Sequence, residues 1–99
     1  MARMKMDGVI EAVRYTPGGK IITVRAYERH GAVWSDHVLL DRQGLSERLK
    51  QGKHFVVGDR KIYLGSVFET GKAVHEIGGN ILTQGQTSAR DLLAGVPVF

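Results

Sequence analysis

Glycine punctuation constrains this chain more than any other feature. Thirteen glycines in 99 residues fall between short apolar runs. Glycine weakens the interior of helices and strands but suits turns, so this pattern predicts many short strands joined by tight turns. The first strand is read from Met4 to Tyr15. Alternation puts Met4, Met6, Gly8, Ile10 and Ala12 on one face, and Lys5, Asp7, Val9, Glu11, Val13 and Tyr15 on the other. In "TPGGK", Pro17 presets φ and Gly19 takes the left-handed position of a three-residue loop. The second strand runs from Lys20 to Arg29, His30–Gly31 turns the chain, and the third strand runs from Ala32 to Leu40.

Asp41 then reads as a helix N-cap. One short helix is expected near 42–51, with Leu45 and Leu49 on one face and Gly52 as its stop; Gly44 weakens its start. Strands are expected at His54–Val57, Lys61–Glu69 and Lys72–Ile77, the last pair turned by "ETGK". This divides the chain into a small β-barrel domain at 1–77 and a linker with an apolar C-terminal tail at 78–99. Residues 78–87 are read as the linker, and a short helix is placed at 88–94, capped by Thr87 or Ser88. The fold class is mainly β: a small five- to six-stranded antiparallel barrel of order β-β-β-α-β-β. That order over residues 4–77 resembles an OB-fold, and an SH3-like barrel reads much the same.

The stretch "RAYERHGAVWSDH" (25–37) gathers aromatic, basic, acidic and histidine side chains. The proposed turns set Tyr27 opposite Trp34 and Val9, Arg25 opposite Asp36 and Glu11, Thr23 opposite Val38 and Val13, and Arg29 opposite Asp7. These rows describe a solvent-facing sheet surface held by cross-strand pairs. A base-stacking platform fits less well, because carboxylates flank its arginines. The barrel interior then takes Ile10, Ala12, Ile22, Val24, Ala26, Val33 and Leu39, with Ser35 and His37 also turned inward.

The formal net charge is +4. Segment 42–61 carries Arg42, Arg48, Lys50, Lys53, Arg60 and Lys61 against Glu47 and Asp59, which accounts for the whole excess. Cations near a helix C-terminus are favoured anyway, but a local patch is also what an anionic partner meets. There is no cysteine, which excludes disulfides, thiolate metal sites and a cysteine nucleophile. The four histidines show no metal-binding spacing, so neither metal nor cofactor is expected. Ser35 and His37 lack an evident orienting carboxylate, and no phosphate loop or nucleophile elbow is present, so no enzyme is expected. No run approaches the ~18 apolar residues of a membrane span, and "MARMKMDGVIEAV" lacks the apolar core of a secretory leader. A cytoplasmic location is the expectation.

The leading functional expectation is non-specific nucleic-acid binding. Arg48, Lys50, Lys53, Arg60 and Lys61 would contact phosphates, with His54 nearby and Tyr63 and Phe68 as stacking residues. The alternative is a protein-interaction or homodimer module with no nucleic-acid role, using residues 88–99 as its docking element.

Overall fold

The computed structural model describes residues 7–30, 33–61, 67–85 and 90–99, with backbone alone at 33, 59–61 and 67–70. The order is β1 (Gly8–Tyr15), β2 (Ile21–His30), β3 (Val33–Trp34), β4 (Val38–Asp41), α1 (Arg42–Lys50), β5 (Phe55–Lys61), β6 (Val67–Ile77) and β7 (Asn80–Thr83). The strands form one mixed sheet, ordered β3-β2-β1-β5-β6-β7, with β4 also on β2. The chain is mainly β with one helix, as expected. The closed antiparallel barrel is corrected: among the described residues no ladder joins β7 back to β3 or β4, and β5 runs parallel to β1. A parallel pair needs a long crossover, and here β2, β3, β4 and α1 supply it.

The β1–β2 hairpin turns where "TPGGK" predicts. Thr16 N–H donates to Lys20 O at 2.7 Å, and Gly19 sits at φ 86°. Val9 pairs with Tyr27 as expected, but partners slip between Ile10 and Ala12, leaving Glu11 at a bulge. A bulge reverses the alternation beyond it, so Ile10 and Val13 both enter the core. Gly8 allows the Phe55 ring against β1, since a Cβ there would collide with it.

The third strand departs from expectation. Trp34 pairs with Arg29 rather than Tyr27, and Leu39 rather than Asp36 lies opposite Arg25. The strand breaks at Ser35, whose hydroxyl accepts the Glu28 N–H at 3.0 Å in place of a ladder bond. The faces differ from the prediction: Tyr27 is 4% exposed, Leu39 on β4 is 65% exposed, and Ile22, which a second β1–β2 register shift passes over, is 45% exposed. His37 is also exposed rather than inward.

Helix α1 forms as read. Asp41 caps it by accepting the Gly44 N–H at 2.7 Å, Leu45 enters the core, and Gly52 at φ 85° turns the chain beyond it. The "ETGK" turn does not form: Glu69–Lys72 lies inside β6, where the register shift opposite Val57 falls at Gly71 and Lys72. Gly71 leaves room for the Val57 side chain, so the strand absorbs the irregularity and continues. The predicted linker also starts differently. Gly78 and Gly79 have φ of 59° and 82° and close a β6–β7 hairpin. Glycine pairs are suited to such two-residue turns.

The tail runs from the β7 edge of the sheet to the part of β1 beyond its pairing with β5. Leu92 bridges Leu82 of β7, and Val98 bridges Val13 of β1, both in parallel sense. The helix expected at 88–94 begins outside the described residues, and 90–94 is not helical. Its backbone instead bonds to strand edges. The core gathers Ile10, Val13, Val24, Ala26, Leu40, Leu45, Phe55, Val74, Ile81 and Leu93 from every layer. Among the described residues no helix is long and apolar enough to cross a membrane.

Candidate nucleic-acid interface

The end of α1 presents its cations on a fixed turn. Gln51, Gly52 and Lys53 donate their N–H groups to Glu47, Leu49 and Arg48 carbonyls at 3.0–3.1 Å. Asp7 holds the next residue: its carboxylate accepts the His54 N–H at 2.8 Å, and its own N–H donates to His54 O at 2.7 Å. Lys50, Lys53 and His54 are thereby displayed to solvent along one wall of a cleft of about 830 Å³. Phe55 and Val56 lie at its base, and His75 and Glu76 of β6 form the far wall. Glu76 is engaged, accepting the Ser46 hydroxyl at 2.7 Å. Among the described residues neither Lys50 nor Lys53 makes an ion pair.

The predicted site residues separate on inspection. Lys50, Lys53 and His54 come together in this cleft. Arg48 does not join them: its guanidinium donates to Glu28 at 2.7 and 3.4 Å and to Gly44 O at 3.0 Å, tying α1 to β2. Arg60 and Lys61 occupy β5 opposite Phe68 and Val67 of β6, and the side chains of all four lie outside the described residues. Tyr63 lies outside the described residues altogether. His75 was not among the predicted contacts. The Val56↔Ala73 pair is what carries it to the cleft, and that register was not readable from the sequence.

The 25–37 stretch makes a different cluster. Arg25 Nε donates to Glu11 Oε1 at 2.8 Å, as the cross-strand reading expects. His37 Nε2 lies 2.6 Å from both Glu11 Oε1 and the Tyr27 hydroxyl, and its ring packs on Tyr27. Burial of Tyr27 removes it as a stacking surface. A second cleft of about 540 Å³ lies between β1 and the tail. Its charged residues, Glu11 and Arg25, satisfy each other. The two clefts thus differ in one electrostatic respect: only the first displays cations without carboxylate partners among the described residues.

Among the described residues no three His, Cys, Asp or Glu side chains converge as metal ligands. No protein-family model, curated protein or solved structure matches the chain.

Proposed function

We propose that this protein binds nucleic acid without sequence specificity, along the cleft between the α1–β5 turn and β6. One observation carries the reading: Lys50 and Lys53, unpaired among the described residues, share an open cleft with His54 and His75. Two ammonium groups free of internal carboxylates are suited to phosphates, and release of condensed counterions drives such binding. A single strand is the favoured form. The cleft is concave, and α1 offers no basic ridge for a duplex groove: Arg42 and Arg48 are tied to Asp91 and Glu28, and Gln43 bonds to Glu47. In this proposal Arg60 and Lys61 are further candidate phosphate contacts and Tyr63 and Phe68 candidate stacking residues, all with side chains outside the described residues. The activity is binding rather than catalysis.

The interaction-module alternative is less well supported in its simple form. The tail is seated on its own chain, with Leu93 2% exposed. Its deepest apolar side chain is therefore not free for a separate partner while it stays there, although Val98 remains exposed.

Fluorescence anisotropy with labelled single-stranded and duplex oligonucleotides, using nuclease-treated protein, tests the proposal. The parent should bind single strands with an affinity that falls linearly in log–log with salt. Reversing Lys50 and Lys53 to Glu should lower that slope by about 1–2, since each lost phosphate contact removes ~0.7. Reversing Arg60 and Lys61 as well should abolish binding. A Lys50→Glu/Lys53→Glu variant that keeps its fold and binds as tightly as the parent would overturn the assignment.

A further inference from the structure

The segment 90–99 holds to the rest of the chain mainly by directed hydrogen bonds rather than by broad apolar contact. Leu92 N–H donates to Ile81 O at 2.9 Å and its carbonyl accepts the Thr83 N–H at 3.0 Å, which occupies the free edge of β7. Farther on, Pro97 O accepts the Val13 N–H at 2.9 Å and Phe99 N–H donates to Val13 O at 3.0 Å, which occupies β1. Between these anchors Leu93 N–H donates to the Tyr15 hydroxyl and Ala94 N–H to Thr83 Oγ1. The guanidiniums of Arg14 and Arg25 flank the Phe99 ring, 4.8 and 5.2 Å from its centroid. Leu93 is the tail's one fully buried core side chain and Val96 packs partly buried against the core, while Gly95, Pro97 and Val98 face solvent.

Asp91 is the exception, and it sets the specificity. Its side chain is 0% exposed and accepts the backbone N–H groups of Ile21 at 2.8 Å and Ile81 at 2.9 Å. Arg42 adds Nε at 2.7 Å and Nη2 at 3.1 Å. The groove therefore demands a carboxylate at one point and an apolar side chain two residues on. A terminal segment held mainly by hydrogen bonds is the kind of unit that can open below the free energy of global unfolding. Once open, it leaves two bare strand edges and two orphaned N–H groups, a template for an incoming strand.

We infer that residues 90–99 exchange between copies of this chain, the tail of one molecule filling the β7–β1 groove of another. A second copy supplies the one strand already shown to fit, with Asp91 at the convergence of three donor groups and Leu93 in the core. A reciprocal dimer keeps every bond named above and closes on itself, so it does not grow into fibres.

The chain has no cysteine, so introduced thiols report without background. Leu82 and Leu92 face each other across the bridge. Leu82→Cys and Leu92→Cys chains are mixed at high concentration, released by an acid pulse that protonates Asp91, neutralised, and oxidised with glutathione disulfide. Exchange predicts a mixed disulfide dimer several-fold above that formed by Leu82→Cys with Lys50→Cys, and rising with concentration. A Leu82→Cys/Leu92→Cys double variant oxidised within one chain at low concentration confirms that the pair can bridge. If the double variant bridges and the mixture gives no excess of mixed dimer, the inference fails. Light scattering on the unmodified chain after the same pulse guards against misfolded variants. A dimer fraction that grows with concentration supports exchange, and a monomer throughout overturns it.

Discussion

Asp91→Ala removes a buried carboxylate on which four hydrogen bonds converge, from Ile21 N, Ile81 N, and Arg42 Nε and Nη2. The two backbone N–H groups lie where water is scarce, next to Ile21 and Ile81, which are 3% and 0% exposed. Leaving a buried donor unpaired costs ~1–3 kcal/mol each. Arg42 is 30% exposed and rehydrates in part, so its contribution falls at the low end. The sum is about 3–7 kcal/mol, and the ~3–5 kcal/mol usual for removing one partner of a buried ion pair falls in its lower half. A domain of this size has a total stability of ~5–15 kcal/mol, so the loss is a large share. At ~4–8 °C per kcal/mol for a domain of this length, a loss of ~3–5 kcal/mol should lower the melting temperature by about 12–40 °C. Urea unfolding followed by Trp34 fluorescence and far-ultraviolet circular dichroism measures it. Asp91→Asn, which keeps one acceptor oxygen, should lose less than Asp91→Ala. A loss under ~1 kcal/mol for Asp91→Ala would refute the argument, because it would mean that the four hydrogen bonds contribute no more than one ordinary net bond.

Acid stability follows from the same group. Burial pushes the Asp91 carboxyl up, but Arg42 and the Ile21 and Ile81 N–H groups together outweigh it and hold the carboxyl below its ordinary value of 3.8. A depressed folded-state value means the stabilisation is present above the unfolded value and is lost as pH falls through the folded one. Stability measured by urea midpoint should therefore drop below about pH 4 in the parent, and Asp91→Asn should flatten that limb. Gly8→Ala would drive a methyl group into the Phe55 ring, and an overpacking loss of about 1–3 kcal/mol should appear in urea unfolding. Leu39→Lys, at a position 65% exposed on β4, should change stability by less than about 0.5 kcal/mol while raising solubility.

Local signals were the legible ones. The turn at 16–20, the Val9–Tyr27 pairing, the Asp41 cap and the Gly52 stop each depend on residues near one another in sequence, and all are present. The Gly78–Gly79 turn was equally local, but its polar surroundings suggested a linker. What stayed hidden depends on distant partners. Nothing in Gly8–Ile10 announces that its neighbour is Phe55–Val57 in parallel. Single-residue irregularities were equally hidden: the β1–β2 register skips Glu11 and again Ile22, and the third strand breaks at Ser35, so period-2 reasoning assigned Ile22 and Leu39 to the wrong environment. The tail's partners extend as far as Arg14, 85 residues from Phe99.

The candidate site shows the same division in electrostatic form. A count along the sequence put six cations in 42–61 and treated them as one patch. Tertiary pairing sorts them. Arg42 is taken by Asp91, 49 residues away, and Arg48 by Glu28, 20 residues away. Arginine suits such ties, because its planar fork can donate to both carboxylate oxygens at once. Lysine is a hydrated point charge on a flexible stem, and Lys50 and Lys53 remain in solvent at the helix end. The sequence therefore carried more information in residue type than in net charge. Within a basic run, the arginines are the better candidates for internal clasps and the lysines for contact with an outside anion. This division makes a discriminating test: Arg48→Lys should weaken α1 against β2 and lower stability without altering binding. Lys53→Glu should do the reverse.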